Sequence, residues 1–158
     1  MLVHVLASRI ERETLEPVES SGASTDLEIL EREECLRLLG DHHFGRIAFL
    51  GTSWPVILPV NYLFDEPSLL IRTGPGDKLD FAPMAGVAFE VDDADPAGAW
   101  GWSVLAQGPA FDITESTDAY SERLRSLAVS PWAPGRRDHW LKISVVSVSG
   151  RRFGHSFR

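Results

Sequence analysis

The sequence predicts a mainly β protein, a closed barrel or a sandwich of short antiparallel strands with a few short helices. Stretches rich in β-branched and aromatic residues are short, and glycine, proline and aspartate turns separate them. The 158 residues are enough for one domain with its own core. A barrel is favoured because closing a sheet of short strands removes its exposed edges.

The domain is predicted to span residues 26–158, after a flexible N-terminal arm of residues 1–25. The arm and the residues just after it contain Glu-rich and Ser/Gly-rich stretches with little apolar periodicity. A segment rich in Glu, Arg and Leu then ends at Gly40, which predicts a short amphipathic helix with a glycine stop.

About six strands are predicted along the rest of the chain. They are Gly45–Leu50, Pro55–Phe64, Ser68–Thr73, Gly86–Asp92, Trp100–Asp112 and Trp140–Phe153. The first three are joined by tight turns, which predicts an antiparallel meander. The fifth is expected to bend at Gly108 and Pro109. Short helices are predicted at Asp77–Ala82 and Ser116–Leu127.

The composition narrows the partners and the compartment. A formal net charge of −8 repels phosphate backbones, so we expect no nucleic-acid partner. The single cysteine, Cys35, excludes an intramolecular disulfide and fits a reducing cytoplasm. No apolar run is long enough to span a membrane, and the start resembles no signal peptide. We therefore expect a cytoplasmic protein with no membrane partner.

The segment Arg72–Lys78 is the strongest local signal for a ligand. A predicted strand ends in Arg72 and Thr73, glycines allow a tight turn, and a helix begins with Lys78 in its first turn. A guanidinium fork, a hydroxyl, an ammonium and a helix N-terminus are all suited to phosphate. The alternative is an ordinary turn that Asp77 caps, with both cations in solvent.

Two further patterns suit a planar ligand. Pro59, Val60, Asn61 and Tyr62 place a proline and an asparagine inside a strand, which is tolerated where a strand faces a ligand or another chain. The alternative is an edge strand with a bulge. Aromatic residues are dense late in the chain, and their large flat rings can cover a planar ligand or form a dimer interface. The alternative for each ring is packing alone. The tryptophans are Trp100, Trp102, Trp132 and Trp140.

The histidines and the cysteine predict no metal site. His42 and His43 are adjacent, so their side chains diverge, and no partner for a metal is evident. Cys35 lies on a predicted helix without a second cysteine nearby and is expected to be a packed thiol. No hydrolase or nucleotide-triphosphatase motif is present.

The order of short motifs resembles the pyridoxamine 5'-phosphate oxidase-like family of FMN-binding split barrels. The motifs cover roughly residues 30–153 and run G-R-I-A-F, P-V-x-x-P-V-N-Y, L-I-R-T-x-x-G-x-K-L, V-A-F-E-V-D, G-W-S-V-x-x-x-G and W-A-P-G-x-R-D-H-W-x-x-I. They are most similar to small actinobacterial-type members, which also resemble nitroimidazole-resistance proteins.

The resemblance implies a homodimer with two FMN sites at the subunit interface. It implies that the phosphate is held by the segment containing Arg72, Thr73, Lys78 and Leu79. It places Pro59, Val60, Asn61 and Tyr62 along the flavin ring, partly through backbone groups. It also implies that the partner chain contributes a further set to each site, namely Trp102, Ser103, Gln107, Trp140 and Lys142.

Two residues depart from the family pattern. Asp77 stands where Ser or Thr is expected, and a carboxylate repels phosphate unless it turns away or caps the helix. Trp54 stands in a turn where relatives usually have glycine. Its large side chain would alter the neighbouring entrance to the ligand site. The arginine and histidine set that binds substrate in true pyridoxamine phosphate oxidases has no match, so vitamin B6 oxidation is not expected.

The resemblance implies a flavin-dependent oxidoreductase acting on a small redox substrate. Flavin carries the hydride chemistry, so no side chain is nominated as catalytic, although Lys142 or Arg137 could stabilise the reduced flavin. The alternative is a non-enzymatic dimer that binds flavin or haem, with a histidine such as His42, His43 or His139 as the iron ligand. A deazaflavin coenzyme is a third possibility, but its acidic tail would require more basic residues.

Overall fold

The computed structural model describes residues 26–83, 86–127, 129 and 135–154. The predicted N-terminal arm of residues 1–25 lies outside the described residues, as do Trp132 and His155. No helix within these ranges is long and apolar enough to cross a membrane.

The described part of the chain contains nine strands and three short helices. The strands are β1 (Asp26–Leu30), β2 (Phe44–Leu50), β3 (Pro55–Asn61), β4 (Leu63–Asp65), β5 (Ser68–Thr73), β6 (Gly86–Ala94), β7 (Trp100–Asp112), β8 (His139–Ser144) and β9 (Ser147–Gly154). The helices are α1 (Arg32–Asp41), α2 (Asp77–Phe81) and α3 (Ala119–Arg125). The prediction of a mainly β protein with short helices is confirmed.

The strands form one curled antiparallel sheet. Its order is β3-β2-β6-β7-β8-β5-β4, and β9 also pairs with β7 and carries β1 on its other side. Strand β7 has two successive partners along one edge, because residues 100–107 pair with β9 and residues 110–112 pair with β8. This split pairing gives the split barrel that the sequence predicted.

Gly108 lies where β7 changes partner, at the predicted bend. A Cβ atom on Gly108 would lie 1.8 Å from the carbonyl oxygen of Ser144, at the end of β8. Only glycine allows the two backbones to come so close.

The predicted three-strand meander is confirmed in its antiparallel pairings, since residues 44–50 pair with residues 55–61 and residues 63–65 pair with residues 68–70, but its middle strand is broken. Residues 55–64 form two strands, because the chain breaks at Tyr62, whose hydroxyl donates a 2.8 Å hydrogen bond to the carbonyl of Leu39. The Tyr62 ring also packs edge-on against Phe89, at a centroid distance of 4.7 Å. The chain is thereby redirected, and β5 pairs with β4 and β8 rather than with β3.

The last predicted strand is also two strands. The amide of Val145 donates to the carbonyl of Pro67, and that of Val146 donates to the carbonyl of Gln107. These two hydrogen bonds go to different neighbours and interrupt the regular pairing of the strand. Strand β8 therefore ends at Ser144, and β9 begins at Ser147 beside another part of β7. Strand β1 is not among the predicted elements. Its five residues are held in an extended conformation by pairing with β9, which is distant along the chain.

Two apolar clusters occupy opposite faces of the β5–β8 pair. The main core contains Leu69 and Ile71 of β5, whereas a smaller cluster under α3 contains Leu70 and Leu124. Because side chains alternate along a strand, Thr73 follows the main-core face and Arg72 follows the α3 face.

Candidate functional site

The predicted strand, glycine turn and helix around Arg72–Lys78 are present in the structure. Strand β5 ends at Thr73, and α2 begins at Asp77. Gly76 has φ of +130°, a conformation that favours glycine, and its carbonyl accepts hydrogen bonds from the amides of Leu79 and Asp80. Helix α2 has only five residues, so its dipole adds little to ligand binding. The Asp77 side chain lies outside what is described.

Arg72 is held in one orientation at the end of β5. Its Nε donates a 2.6 Å hydrogen bond to the carbonyl of Arg137. Its guanidinium carbon lies 5.3 Å from the centroid of the Trp140 ring, the residue opposite it on β8. These two contacts set the plane of the guanidinium, which is what a fork-like donor to an oxyanion requires.

Thr73 is only 1% exposed, and its hydroxyl donates to the carbonyl of Gly74 at 3.2 Å. It lies on the opposite face of β5 from Arg72. Lys78 and Leu79 follow on α2 and are half-buried. The structure thus gathers four predicted phosphate residues around one turn, with Arg72 and Thr73 approaching it from different faces.

Residues 135–139 form a second wall beside this turn. His139 pairs with Thr73 in the β5–β8 register, and a Cβ on Gly74 would lie 2.9 Å from the carbonyl of Arg136. A cleft of about 330 Å³ opens between the walls, and its described lining is Pro75, Arg136, Asp138 and His139. Arg136 is absent from the predicted site, although the Arg136-Arg137 pair just before β8 was a readable basic signal.

Strand β3 presents only part of its predicted ligand face. Val60 and Tyr62 are buried, and burial raises the pKa of the Tyr62 phenol far above its usual value. Pro59 is exposed and Asn61 is half-exposed, on the opposite face of the strand. Val60 and Tyr62 therefore offer a ligand backbone groups at most. Strand β3 ends the sheet and also contacts β5, the strand that leads into the turn.

Ser103 and Gln107 lie on the same face of the sheet as Pro59. Pro59 pairs with Arg46, and Arg46 with Glu90. Glu90 pairs in turn with Leu105, which lies two residues from both Ser103 and Gln107. Cross-strand partners share a face, and so do residues two apart on one strand. We call this surface, away from the main core, the outer face.

Trp102 lies on the inner face instead. It is 9% exposed and packs edge-on against His42, with ring centroids 4.8 Å apart. In one chain Trp102 therefore has the packing role that the sequence analysis gave as the alternative to ligand binding. The contact also engages the His42 ring, whose Nδ1 lies 2.8 Å from the carbonyl of Leu38.

Trp140 and Lys142 lie on the α3 face of β8. Trp140 packs against the smaller cluster and beside Arg72, so it joins the turn. The Nζ of Lys142 lies 5.0 Å from the centroid of Phe111 and 5.5 Å from that of Tyr120, on the strip that α3 covers. Within one chain, the predicted residues therefore form two groups, one at the turn and one on the outer face. Four predicted residues belong to neither group, namely Val60, Tyr62, Trp102 and Lys142.

No group of three possible metal-binding side chains occurs within the described ranges. Cys35 is fully buried, with its Sγ 3.8 Å from the carbonyl of Leu30. Trp54 is 79% exposed at the β2–β3 turn, next to the outer face.

Comparison with known proteins finds relatives that share this fold. The FAD binding protein from Mycobacterium smegmatis superposes with a TM-score of 0.65 at 30% identity, over 84% of this chain and 100% of that one. Rv0080, an uncharacterized protein of Mycobacterium tuberculosis, is 32% identical over 78% of this chain and 83% of its own length.

A third similarity extends to the fold alone. A protein assigned to 5-nitroimidazole antibiotic resistance from Bacteroides thetaiotaomicron has a TM-score of 0.59 at 12% identity, over 83% of this chain and 90% of that one. The sequence model of the pyridoxamine 5'-phosphate oxidase family matches residues 31–152, most of the described fold. The chain therefore belongs to the pyridoxamine 5'-phosphate oxidase family, as its motif order and split barrel indicate.

Proposed function

We propose that this chain is a flavin-dependent oxidoreductase that acts as a homodimer on a small redox substrate. The flavin we propose is FMN, the smallest flavin nucleotide, with its phosphate at the turn between β5 and α2. The observation that carries it is the gathering of Arg72, Thr73 and Lys78 around that one turn, in a chain whose net charge is −8. The similarity to an FAD binding protein at 30% identity supports a flavin as the ligand.

The donors at the turn fit a phosphate group. Arg72 offers a guanidinium whose plane is already set by the Arg137 carbonyl and the Trp140 ring. Charge-assisted hydrogen bonds from such a fork are about twice as strong as neutral ones. Lys78 adds a positive charge one helical position into α2. The buried Thr73 hydroxyl donates to the Gly74 carbonyl and so helps to hold the backbone of the turn.

The outer face supports the homodimer. It carries large apolar side chains that one chain leaves in solvent, such as Leu50, which is 69% exposed, and Ile57, which is 64% exposed. Two hollows of about 450 and 380 Å³ lie on this face, and Gln107 and Ser103 line them respectively. Several large apolar side chains exposed on one face are typical of an interaction site. A second copy seated here would bring its own outer face, with its Ser103 and Gln107, against the outer face of the first.

A bound flavin would supply the hydride chemistry. The chain's own residues would hold and orient it. Arg72 and Lys78 would fix the phosphate end, while the edge strand β3 would offer backbone groups and the Asn61 amide along the ring. The paired outer faces would exclude water from the ring.

The first test is to titrate purified, flavin-free protein with FMN and separate it by gel filtration. We expect a flavin spectrum that elutes with a dimer-sized peak, and reduction of that flavin by NADH or NADPH. Lys78→Gln should weaken FMN binding about ten-fold, whereas Arg32→Gln, which removes an exposed charge from α1, should not.

The other outcomes separate the parts of the proposal. Protein that retains no flavin would refute the site. Retained flavin that neither nicotinamide nucleotide nor dithionite reduces would refute the oxidoreductase role and favour a carrier. Equal weakening by both variants would show that general charge, rather than the turn, attracts the phosphate.

A further inference from the structure

We propose that two copies of this chain meet about a two-fold axis that runs along β7, so that Arg151 of each copy pairs with Asp92 of the other. This inference rests on the proposed homodimer and names the contact by which one copy recognises the other. Neither Arg151 nor Asp92 belongs to the residues predicted to hold a flavin.

Asp92 and Arg151 lie in one row that crosses three strands of the outer face. Asp92 of β6 pairs with Ser103 of β7, and Ser103 pairs in turn with Arg151 of β9. Cross-strand partners share a face, so all three side chains belong to the outer face. Neighbouring strands lie about 4.8 Å apart. The two charged residues therefore flank β7 at nearly equal distances, one on each side.

The two sides of β7 carry opposite charge. On the β6 side, the Nη1 of Arg46 donates to Glu90 at 2.9 Å and to Asp92 at 2.5 Å. One cation is thus shared by two carboxylates, which leaves one negative charge, and the Asp92 side chain is 46% exposed. On the β9 side, Arg151 is exposed, and no residue within the described ranges forms an ion pair with it. Each copy therefore presents an excess carboxylate and an unpaired guanidinium on the same face.

This charge pattern selects one way in which two outer faces can meet. In a symmetric dimer both copies use the same surface, and the axis between two facing sheets lies in the plane of contact. A rotation about an axis parallel to β7 exchanges its two sides, which places Asp92 of each copy over Arg151 of the other. An axis along the row would instead place each charge over its own copy. Like charges that meet across an interface oppose association, whereas opposite charges fix its register.

Apolar groups along β7 would lie at the centre of this contact. Leu105 projects from β7 itself and is 37% exposed. Phe153 of β9 is 38% exposed, and its ring covers Gly101, where a Cβ would overlap it. Side chains close to a two-fold axis meet their own copies, so Leu105 would be buried against Leu105. An apolar centre with charged residues on both sides is the usual organisation of a stable interface.

The test reverses the two charges singly and together and measures the dimer dissociation constant by sedimentation velocity. Arg151→Glu and Asp92→Arg should each raise it about 100-fold, because the dimer contains the contact twice and like charges would replace both pairs. The double variant restores opposite charges and should dimerise nearly as tightly as the wild type. An equimolar mixture of the two single variants should form a heterodimer, in which both contacts again join opposite charges.

The control is Arg32→Glu, which reverses an exposed charge on α1 and should leave the dissociation constant unchanged. Circular dichroism checks that each variant is folded. Recovery of the dimer on mixing would also exclude misfolding as the cause of the weakening, because a misfolded chain would not regain its partner.

The results that overturn this inference differ from those that refute the homodimer. Unchanged dissociation constants in both single variants would place the contact elsewhere and leave the homodimer standing. Additive weakening in the double variant would show that the two residues do not meet. A wild-type chain that is monomeric at every concentration would refute the homodimer of the proposed function itself.

Discussion

The guanidinium carbon of Arg72 lies 5.3 Å from the centroid of the Trp140 ring, directly across the β5–β8 pair. Together with the hydrogen bond from Nε to the Arg137 carbonyl, this contact holds the guanidinium in one orientation. The same side chain therefore ties residues 136–138 to the sheet, and it is the residue that we propose as a phosphate ligand.

Replacing Arg72 with lysine separates charge from geometry. Lysine keeps the positive charge but has neither the planar fork nor an Nε in position to hold Arg137. We expect Arg72→Lys to weaken flavin binding about ten-fold, as titration of flavin fluorescence would measure. Arg32→Lys is the matched control on the exposed surface of α1. Unchanged flavin affinity in Arg72→Lys would show that charge alone suffices.

A glutamate at position 105 should separate the proposed dimer. Leu105 is the outer-face residue between Ser103 and Gln107, and it is partly exposed in one chain. A second copy on this face would bury it, and two buried carboxylates without partners cost several kcal/mol. We expect Leu105→Glu to sediment as a monomer and to lose flavin, since the site would lack its second half.

Thr117→Glu, an equally acidic change on the exposed approach to α3, is the control for Leu105→Glu and should remain dimeric. Sedimentation velocity at several concentrations makes the comparison. If both variants sediment as dimers, the two copies meet elsewhere or the outer face tolerates charge.

An alanine at position 108 should disrupt the barrel. Its Cβ would lie 1.8 Å from the Ser144 carbonyl oxygen, and both atoms belong to backbones that pairing holds. Forcing extra volume into a packed site costs about 1–3 kcal/mol, occasionally more, and this contact calls for the upper end. We expect Gly108→Ala to unfold at a markedly lower urea concentration, or not to fold.

Gly86→Ala is the matched control for Gly108→Ala. A Cβ on Gly86 would have no atom within 4 Å, although Gly86 pairs with Pro109, the residue next to Gly108 on β7. Its urea midpoint should stay close to that of the wild type. A urea midpoint for Gly108→Ala close to that of the wild type would mean that β7 and β8 can move apart there with little loss of stability.

The attachment of α1 to the sheet should weaken in acid. Glu34 accepts hydrogen bonds from Arg37 and from Arg152 of β9, and these lower its pKa from 4.5 to about 2. Because the folded chain holds this carboxylate ionised, its contribution to stability is complete above pH 4.5 and is lost as the pH falls toward 2. Solvent screens these half-exposed pairs, so the contribution is at most about 1 kcal/mol.

Urea midpoints of the wild type and Glu34→Gln test this dependence. The wild type should be more stable at pH 7, and the difference should shrink as the pH falls below 4.5. Glu33→Gln, an exposed change on the same helical turn, should show no comparable trend. A difference between the wild type and Glu34→Gln that is constant with pH would mean that the lost contact is one of packing rather than of charge.

The sequence determined the elements whose causes are local. Short β-branched runs between turn residues predicted β2, β5, β6 and β7 within a few residues, because alternation and turn chemistry act over short distances. The strand, glycine turn and helix at Arg72–Lys78 followed for the same reason. The motif order also predicted the family, since it preserves spacing that the fold requires.

Only the tertiary structure decided what distant residues do to one another. The breaks after Asn61 and after Ser144 arise because Tyr62 bonds to Leu39, and Val145 and Val146 bond to other strands. The burial of Trp102 against His42 and the placement of Arg136 beside Gly74 depend in the same way on contacts across the sheet. Pairing register and burial are set by partners far along the chain, so a local pattern cannot reveal which face a side chain occupies.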